Sequence, residues 1–590
     1  MAWYSDAVFY HIYPLGLTGA PKQNDYGEPV HRLRQLFPWI AHIRKIGCTG
    51  LYIGPLFESV GHGYETTDYK KLDSRLGTNE DLKEFAAECH NNGIRVIFDG
   101  VFNHTGRDFF AFADLKQNRE NSRYRDWYCN VNFYGNNEYN DGFSYDNWGG
   151  YNLLAKLNQR NPEVQQYFCD IVRYWVSEFD ADGIRLDAAD VLDFDFMHRL
   201  REEADRTKKD FWLMGEVIHG DYTRWVNDNE LHSVTNYQLH KALYSGHNDH
   251  NYFEIAHTVR NLCARDNGNT LGRLYNFVDN HDVERIYTKL VNKAHFVPVH
   301  ILLFTLPGIP SLYYGSEFGI EGKKEKYSDA SLRPELKLDE LEKNETYMHR
   351  RKLISALARI RTGSEALRSG EYRELILTNR QYAFSRGNGD GAVLTVVNND
   401  DSEAVMELPV SGNTIYVGML GGGRYIPDGG LIRLTVGANS GEILVPESES
   451  GKISVPESES RKISSPEPES GQIYVRESET GTVCDAENIQ AALNTCEKDD
   501  DPALEEAVGD RTVCSREKPA ETEIGRGTYS ARNTDEKPNE KPYEEMSVEE
   551  LQEAVLSKLA KNGPVTDRMH REVRENIYRN SLLNWVRSFR

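Results

Sequence analysis

Paired cysteines are missing from this sequence. Its eight cysteines stand singly, with no CxxC, no framework spacing and no Cys/His ligand spacing, which excludes a disulfide scaffold and a zinc module. Long apolar runs are missing too: none approaches the roughly 20 residues of a membrane span, so no membrane partner is expected. The N-terminal stretch "MAWYSDAVFYHIYP" lacks the basic, apolar and small-residue succession of a signal peptide and reads as a strand that begins at once. Single cysteines and no leader together point to a cytoplasmic protein. An excess of positive charge is also absent: 69 Lys+Arg stand against 92 Asp+Glu, a net −23, which excludes a phosphate backbone as partner. Much of the surplus lies late, with 20 Lys+Arg against 32 Asp+Glu over residues 441–590. A neutral sugar remains compatible with such a surface, and the 33 Tyr and 8 Trp supply rings on which one could stack.

What is present is a rhythm. From residue 8 to about 362, short apolar runs alternate with helical patterns. The runs are "AVFYHIY" (7–13), "TGLYIG" (49–54), "IRVIFDG" (94–100), "GIRLD" (183–187), "FWLMGE" (211–216), "SVTNY" (233–237), "LYNFVDN" (274–280) and "GIPSLYYG" (308–315). Thr78 and Asp81 have capping-box spacing before the apolar face Leu82, Phe85, Ala86, Cys89, and another helix opens at Pro162. Eight buried strands, each followed by a helix, predict an α/β fold, a (β/α)8 TIM barrel over 1–102 and 161–362. The Asn-, Tyr-, Gly- and Asp-rich stretch 103–160 is too long for an ordinary connection and predicts a subdomain inserted after the third strand, over the barrel mouth.

After about 362 the pattern turns to short alternating runs, which predict a small antiparallel β-sandwich over 363–446. A ten-residue repeat then appears: "GEILVPESES", "GKISVPESES", "RKISSPEPES", "GQIYVRESET". Its first copy looks like the sandwich's last strand, multiplied. Residues 447–545 carry too little apolar surface to offset ordering entropy and are expected to form a disordered acidic linker. Order is expected to return over 546–590, where Ser547 and Glu550 make a capping box and Val548, Leu551, Val555 and Leu559 share a face. Gly563-Pro564 should end that helix, and a second should run from about 567 to 588.

One strand is odd. Side chains alternate along a strand, so Arg185 and Asp187 of "GIRLD" point the same way, opposite Ile184 and Leu186. Alone, the pair reads equally well as a structural ion pair. Chemistry in such a barrel lies at the C-terminal strand ends, however, and others deliver polar groups there as well. Strand three ends in Asp99, before Asn103 and His104. Strand five ends in Glu216, and His281 and Asp282 follow strand seven. Any one acid could cap a loop; acids from four strands at one mouth repel each other without a task.

"DGVFNH" (99–104), "GIRLD" (183–187), "GEV" (215–217) and "FVDNHD" (277–282), in this order, resemble the four signature regions of the α-amylase family. "HGY" (62–64) followed by "TTDY" resembles its segment after strand two, and "LLAKLN" (153–158) that of neopullulanases and cyclomaltodextrinases. The resemblance covers about residues 1–440. It implies a glycoside hydrolase with Asp187 as nucleophile, Glu216 as general acid and base, and Asp282 holding sugar hydroxyls. It implies that Arg185 orients the nucleophile and keeps it ionised, that His104 and His281 donate to hydroxyls, and that Tyr64 stacks on the sugar ring. A calcium site in many relatives uses the third-strand asparagine and a histidine soon after the nucleophile. Asn103 is present, but Ala188-Ala189-Asp190-Val191 follows Asp187, so no metal and no cofactor are expected. The expected activity is retaining hydrolysis of maltooligosaccharides. Transglycosylation, decided at the acceptor side near Asp190 and Val217-Ile218-His219, stays open, and so does a non-catalytic scaffold.

Overall fold

In a computed structural model, residues 2–326, 328–453 and 547–562 are described. The chain divides into two units, Met1–Val475 and Arg476–Arg590. In the first, all eight runs form parallel strands: Phe9–Ile12, Gly50–Ile53, Arg95–Gly100, Gly183–Leu186, Trp212–Gly215, Ser233–Val234, Tyr275–Asn276 and Ile309–Tyr313. Each pairs with its sequence neighbours, and the first pairs with the eighth. A parallel bridge between Thr235 and Tyr275, with the Asn236 amide donating to the Tyr275 carbonyl at 2.9 Å, closes the ring between strands six and seven. The barrel is therefore continuous, and its narrowest seam is there.

Alternation along the strands sorts two cores. Phe9, Tyr52, Ile97, Trp212, Met214, Tyr275, Phe277 and Ile309 fill the lumen. Phe9 and Trp212, from strands one and five, stack across it with ring centres 4.8 Å apart. Tyr10, Ile12, Leu51, Val96, Phe98, Ile184, Leu186 and Leu213 face outward and are covered by helices. The helix Pro162–Phe179 shows how local sequence and packing agree. The Asn161 side chain accepts from the Glu163 amide, Pro162 sets the first turn, and Phe168, Val172, Trp175 and Phe179 face inward. Trp175 stacks on Phe57 at 4.4 Å, and burying such a ring stabilises by about 3 kcal/mol. The helix Asn79–Asn91 begins with the Thr78–Asp81 box in both directions, so an aspartate serves where glutamate is usual.

A hairpin that the apolar pattern did not reveal, Phe57–Ser59 paired with Thr66–Leu72, follows strand two. Its second strand alternates little and is half exposed, so periodicity could not mark it. Within 103–160 lie the helix Phe110–Asn118 and a three-stranded sheet of His104–Thr105, Tyr151–Lys156 and Asn147–Trp148.

Beyond the barrel, six strands form an antiparallel sheet in the order Tyr372–Leu377, Gln381–Arg386, Val393–Asn398, Ser440–Pro446, Tyr416–Gly418, Arg424–Tyr425. One face packs on the hairpin Ala404–Pro409/Leu431–Val436 through Val396, Met406, Leu408, Ile432 and Leu444. The first repeat copy does supply the last strand, inserted between Val393–Asn398 and Tyr416–Gly418. The later repeats (454 onward) and the helix expected over 567–588 lie outside the described residues. In the second unit the helix Val548–Asn562 starts with the expected box: the Ser547 amide donates to Glu550 at 2.6 Å, and the Glu550 amide donates to Ser547 Oγ at 3.2 Å.

Several histidines are buried as neutral rings. Burial, the largest cause, holds His247 down to about 3, and His295 and His300 down to about 4; these three line the junction of barrel and sandwich. His232 and His240 are lowered to about 3 for the same reason. Their folded values lie below the unfolded value of about 6.5, so stability is full above that pH and is lost as pH falls through it. The melting temperature should fall by several degrees between about pH 7 and about pH 5, read by circular dichroism. A flat or rising profile would contradict neutral burial.

Candidate active site

Strand register builds the site. Asp99 pairs beside Arg185, and Arg185 beside Met214, so strands three, four and five present their last inward residues side by side. The Asp187 amide donates to the Gly100 carbonyl at 3.0 Å and the Glu216 amide to the Leu186 carbonyl at 2.9 Å, extending the ladder by one residue on each strand. Gly215 must be small for this to happen: a Cβ there would stand 2.7 Å from the Ala189 Cβ and 2.5 Å from Leu231 Cδ1.

Arg185, 2% exposed, is the hub. Its Nη1 donates to Asp99 Oδ1 and to Asp187 Oδ1, each at 2.8 Å, and its Nη2 lies 2.7 Å from Glu216 Oε2. Besides the contact with Asp187 that the strand pattern predicts, it reaches two further carboxylates. Asp99 also accepts from the Tyr52 and Tyr64 hydroxyls at 2.8 and 3.0 Å. Glu216 accepts from the Ala188 amide at 3.2 Å and from the Tyr237 hydroxyl at 3.2 Å. Ala188 holds the left-handed conformation at φ 47°, strained for a residue with a Cβ, and this aims its N–H at the glutamate.

Asp187 sits in a less favourable electrostatic balance than Arg185 by itself would give it. Burial raises its carboxyl well above the usual range; Arg185 opposes this, but Glu216, Asp99 and Asp282 push the same way as burial. One guanidinium faces three buried carboxylates, and Asp187 is the one whose carboxyl is pushed up.

Asp282 is the opposite case. Its side chain is 34% exposed and has partners of its own: the Arg333 guanidinium Nη2 at 2.7 Å and the His281 Nε2 at 2.9 Å. Burial raises its carboxyl, but His281, Arg333 and Arg185 outweigh that and hold it well below the usual range. Arg333 comes from the long segment after strand eight and was missed, because no short motif marks it.

The structure brings Tyr64, Arg185, His281 and the three acids together. Tyr64 stacks on His281 with centres 5.5 Å apart and also hydrogen-bonds its Nε2. His104 differs from expectation. It is 1% exposed, its Nε2 donates to the Tyr64 carbonyl at 3.1 Å, and its Nδ1 faces Asn103 Nδ2 at 3.3 Å. It therefore holds the Tyr64 loop instead of reaching for a sugar. Burial lowers it to about 4, so it is neutral. Asn103 accepts from Gln159 Nε2 at 3.2 Å, and Gln159 Oε1 accepts from the Asp193 amide at 2.6 Å. Among the described residues no group of three or more His, Cys, Asp or Glu could hold a metal ion. No helix among them is long and apolar enough to cross a membrane.

Comparison with known proteins agrees with this geometry. Residues 34–360 match the family described as alpha amylase, catalytic domain. The chain is 31% identical over 454 residues to a cyclomaltodextrinase of Thermoanaerobacter pseudethanolicus, covering 70% of this chain and 76% of that one. It is 29% identical over 471 residues to neopullulanase 2 of Thermoactinomyces vulgaris, covering 75% and 78%. A solved cyclomaltodextrinase structure superposes with a TM-score of 0.67 at 25% identity, over 75% of this chain and 78% of that one. A chain with this barrel, these strand-end carboxylates and these matches belongs to the α-amylase family of glycoside hydrolases.

Proposed function

We propose that this chain is a retaining α-glucoside hydrolase of maltooligosaccharides, with Asp187, Glu216 and Asp282 as its working carboxylates. The observation that carries the reading is the guanidinium shared by Asp187 and Glu216. Sharing keeps the two carboxyls close, as a retaining site requires with its separation of about 5–5.5 Å, and leaves one proton for the pair. That proton sits on Glu216 when a sugar is bound and passes to the glycosidic oxygen as the bond to the leaving sugar breaks. An Asp187 oxygen attacks the anomeric carbon from the other face and forms the glucosyl ester. Glu216, now ionised, takes a proton from water, which attacks the same carbon and frees Asp187.

Asp282, held ionised by His281 and Arg333, accepts from sugar hydroxyls and stabilises the oxocarbenium-like charge. Tyr64 lies under the ring being cleaved. Short neutral glucans suit a chain of net −23, and free, unpaired cysteines among the described residues suit the cytoplasm.

Purified protein should convert maltoheptaose to shorter products that appear first as α-anomers by NMR. Asp187→Ala should lower the rate by at least about 1,000-fold. Net chain lengthening would make the enzyme a transglycosylase, and β-anomeric products would sink the retaining mechanism.

Arg185→Lys offers one point charge in place of a fork and should lower kcat/KM by about 100-fold or more. A near-wild-type rate would remove Arg185 from the mechanism.

The negative charge of Glu216 helps to raise Asp187, so Glu216→Gln should move the acid limb of kcat/KM to lower pH. α-Glucosyl fluoride, whose leaving group needs no proton, makes that limb measurable. An unmoved limb would separate the two carboxyls.

A further inference from the structure

Beneath the carboxylates lie two histidines with unsatisfied nitrogens. His11, on strand one, points into the lumen and is 3% exposed. Its ring lies on that of Tyr52, centres 4.1 Å apart at 20°, and beside that of Tyr313 at 4.8 Å. Its Nε2 is buried and has no hydrogen-bond partner. His281, 2% exposed, sits perpendicular to it with ring centres 5.2 Å apart. The His281 Nδ1 is likewise buried and unpartnered. Orphaned polar atoms on touching rings each carry the penalty of lost water, and one hydrogen bond would relieve both.

The surroundings decide who donates. His281 Nε2 faces Asp282 Oδ2 at 2.9 Å and also the Tyr64 hydroxyl. Tyr64 gives its own proton to Asp99, so it accepts from His281. Nε2 of His281 therefore carries hydrogen, and in the neutral ring Nδ1 is an acceptor without a donor. Neither nearby hydroxyl is available: Tyr52 donates to Asp99, and Tyr313 donates to the Leu332 carbonyl at 3.1 Å. His11 is available. Burial, then His281, Arg185 and Arg285, hold it well below the usual range against the pull of Asp282, so it is a neutral ring with a single N–H.

We propose that His11 is a positioning residue: its Nε2–H hydrogen-bonds His281 Nδ1, directly or through one water molecule, and fixes the His281 tautomer that orients Asp282 and Tyr64. The opposite tautomer would turn a lone pair toward the Asp282 carboxylate and the Tyr64 oxygen. The chain of donors thus runs from strand one, through His281, to the acid after strand seven. This inference rests on the proposed role of Asp282 in holding the sugar.

The test uses the full chain, maltoheptaose and two substitutions. His11→Leu keeps an apolar side chain between Tyr52 and Tyr313 but removes the donor. It should lower kcat/KM by about tenfold, one hydrogen bond's worth. Its pH profile of kcat/KM should also depart from that of the wild type, because the two His281 tautomers present different groups to Asp282 and Tyr64. His11→Gln, which can present an amide N–H, should restore most of the rate and the original profile. Wild-type rate and profile in His11→Leu would overturn the proposal, and so would failure of His11→Gln to recover either. A folding defect in His11→Leu is bypassed by 15N shifts of the imidazole nitrogens in the wild-type protein. They should show His281 protonated at Nε2 and accepting at Nδ1, assigned by the signals lost in His281→Asn. An Nδ1–H tautomer would refute the inference even in an active enzyme. If wild type and Asp187→Ala leave maltoheptaose equally untouched, the hydrolase reading fails, while the 15N shifts still decide the tautomer.

Discussion

Everything at the barrel mouth depends on one buried cation answering several buried anions. Arg185 reaches Asp99, Asp187 and Glu216, and its burial makes each contact stronger than it would be in water. Asp99 also accepts from two tyrosine hydroxyls, and its contact supports the Arg185 charge against the pull of burial. With Arg185 so held, Asp187 shares Nη1 with Asp99 while Glu216 takes Nη2. Two chemically similar acids thus meet different surroundings on one guanidinium.

The third acid is kept off that guanidinium. Asp282 makes its contacts with Arg333 and His281, which come from the loops after strands eight and seven, and none with the Arg185 guanidinium. The site therefore has an Arg185-bound half, on strands four and five, and an Arg333-bound half, on the loops after strands seven and eight. Removing an Arg185 contact disturbs the first half, and removing an Arg333 contact disturbs the second. That division is a property of which strand ends lie side by side, and register alone sets it.

Much of this was legible in the residues. Buried parallel strands read as short apolar runs, and all eight could be placed because nothing polar interrupts them except where the site begins. The Thr78–Asp81 and Ser547–Glu550 boxes were legible for the same reason that they work: their partners are three residues apart. What stayed hidden depends on distance in sequence. Arg333 meets Asp282 across 51 residues and carries no local signature. The sandwich's first strand, Tyr372–Leu377, is only partly buried, and neither it nor the Phe57–Ser59 hairpin shows a clear period. The true environment of Asp187 was hidden too, because a strand pattern places Arg185 beside it without revealing that Glu216 draws on the same guanidinium. His104 matched a motif, yet the Tyr64 carbonyl already engages its ring, a contact made only once the loop has folded.

The seam between strands six and seven has a consequence of its own. Those strands are two residues long, and a single bridge with its adjoining amide closes the ring there, whereas strands one and two meet along four residue pairs. Thermal opening of the barrel begins where the fewest hydrogen bonds must break together, so backbone amides along this seam are the first of the barrel to trade hydrogen with solvent. Tyr237 stands at its edge and touches both Glu216 and Asn280. Breathing of the scaffold at this seam would therefore reach Glu216 through the Tyr237 hydroxyl.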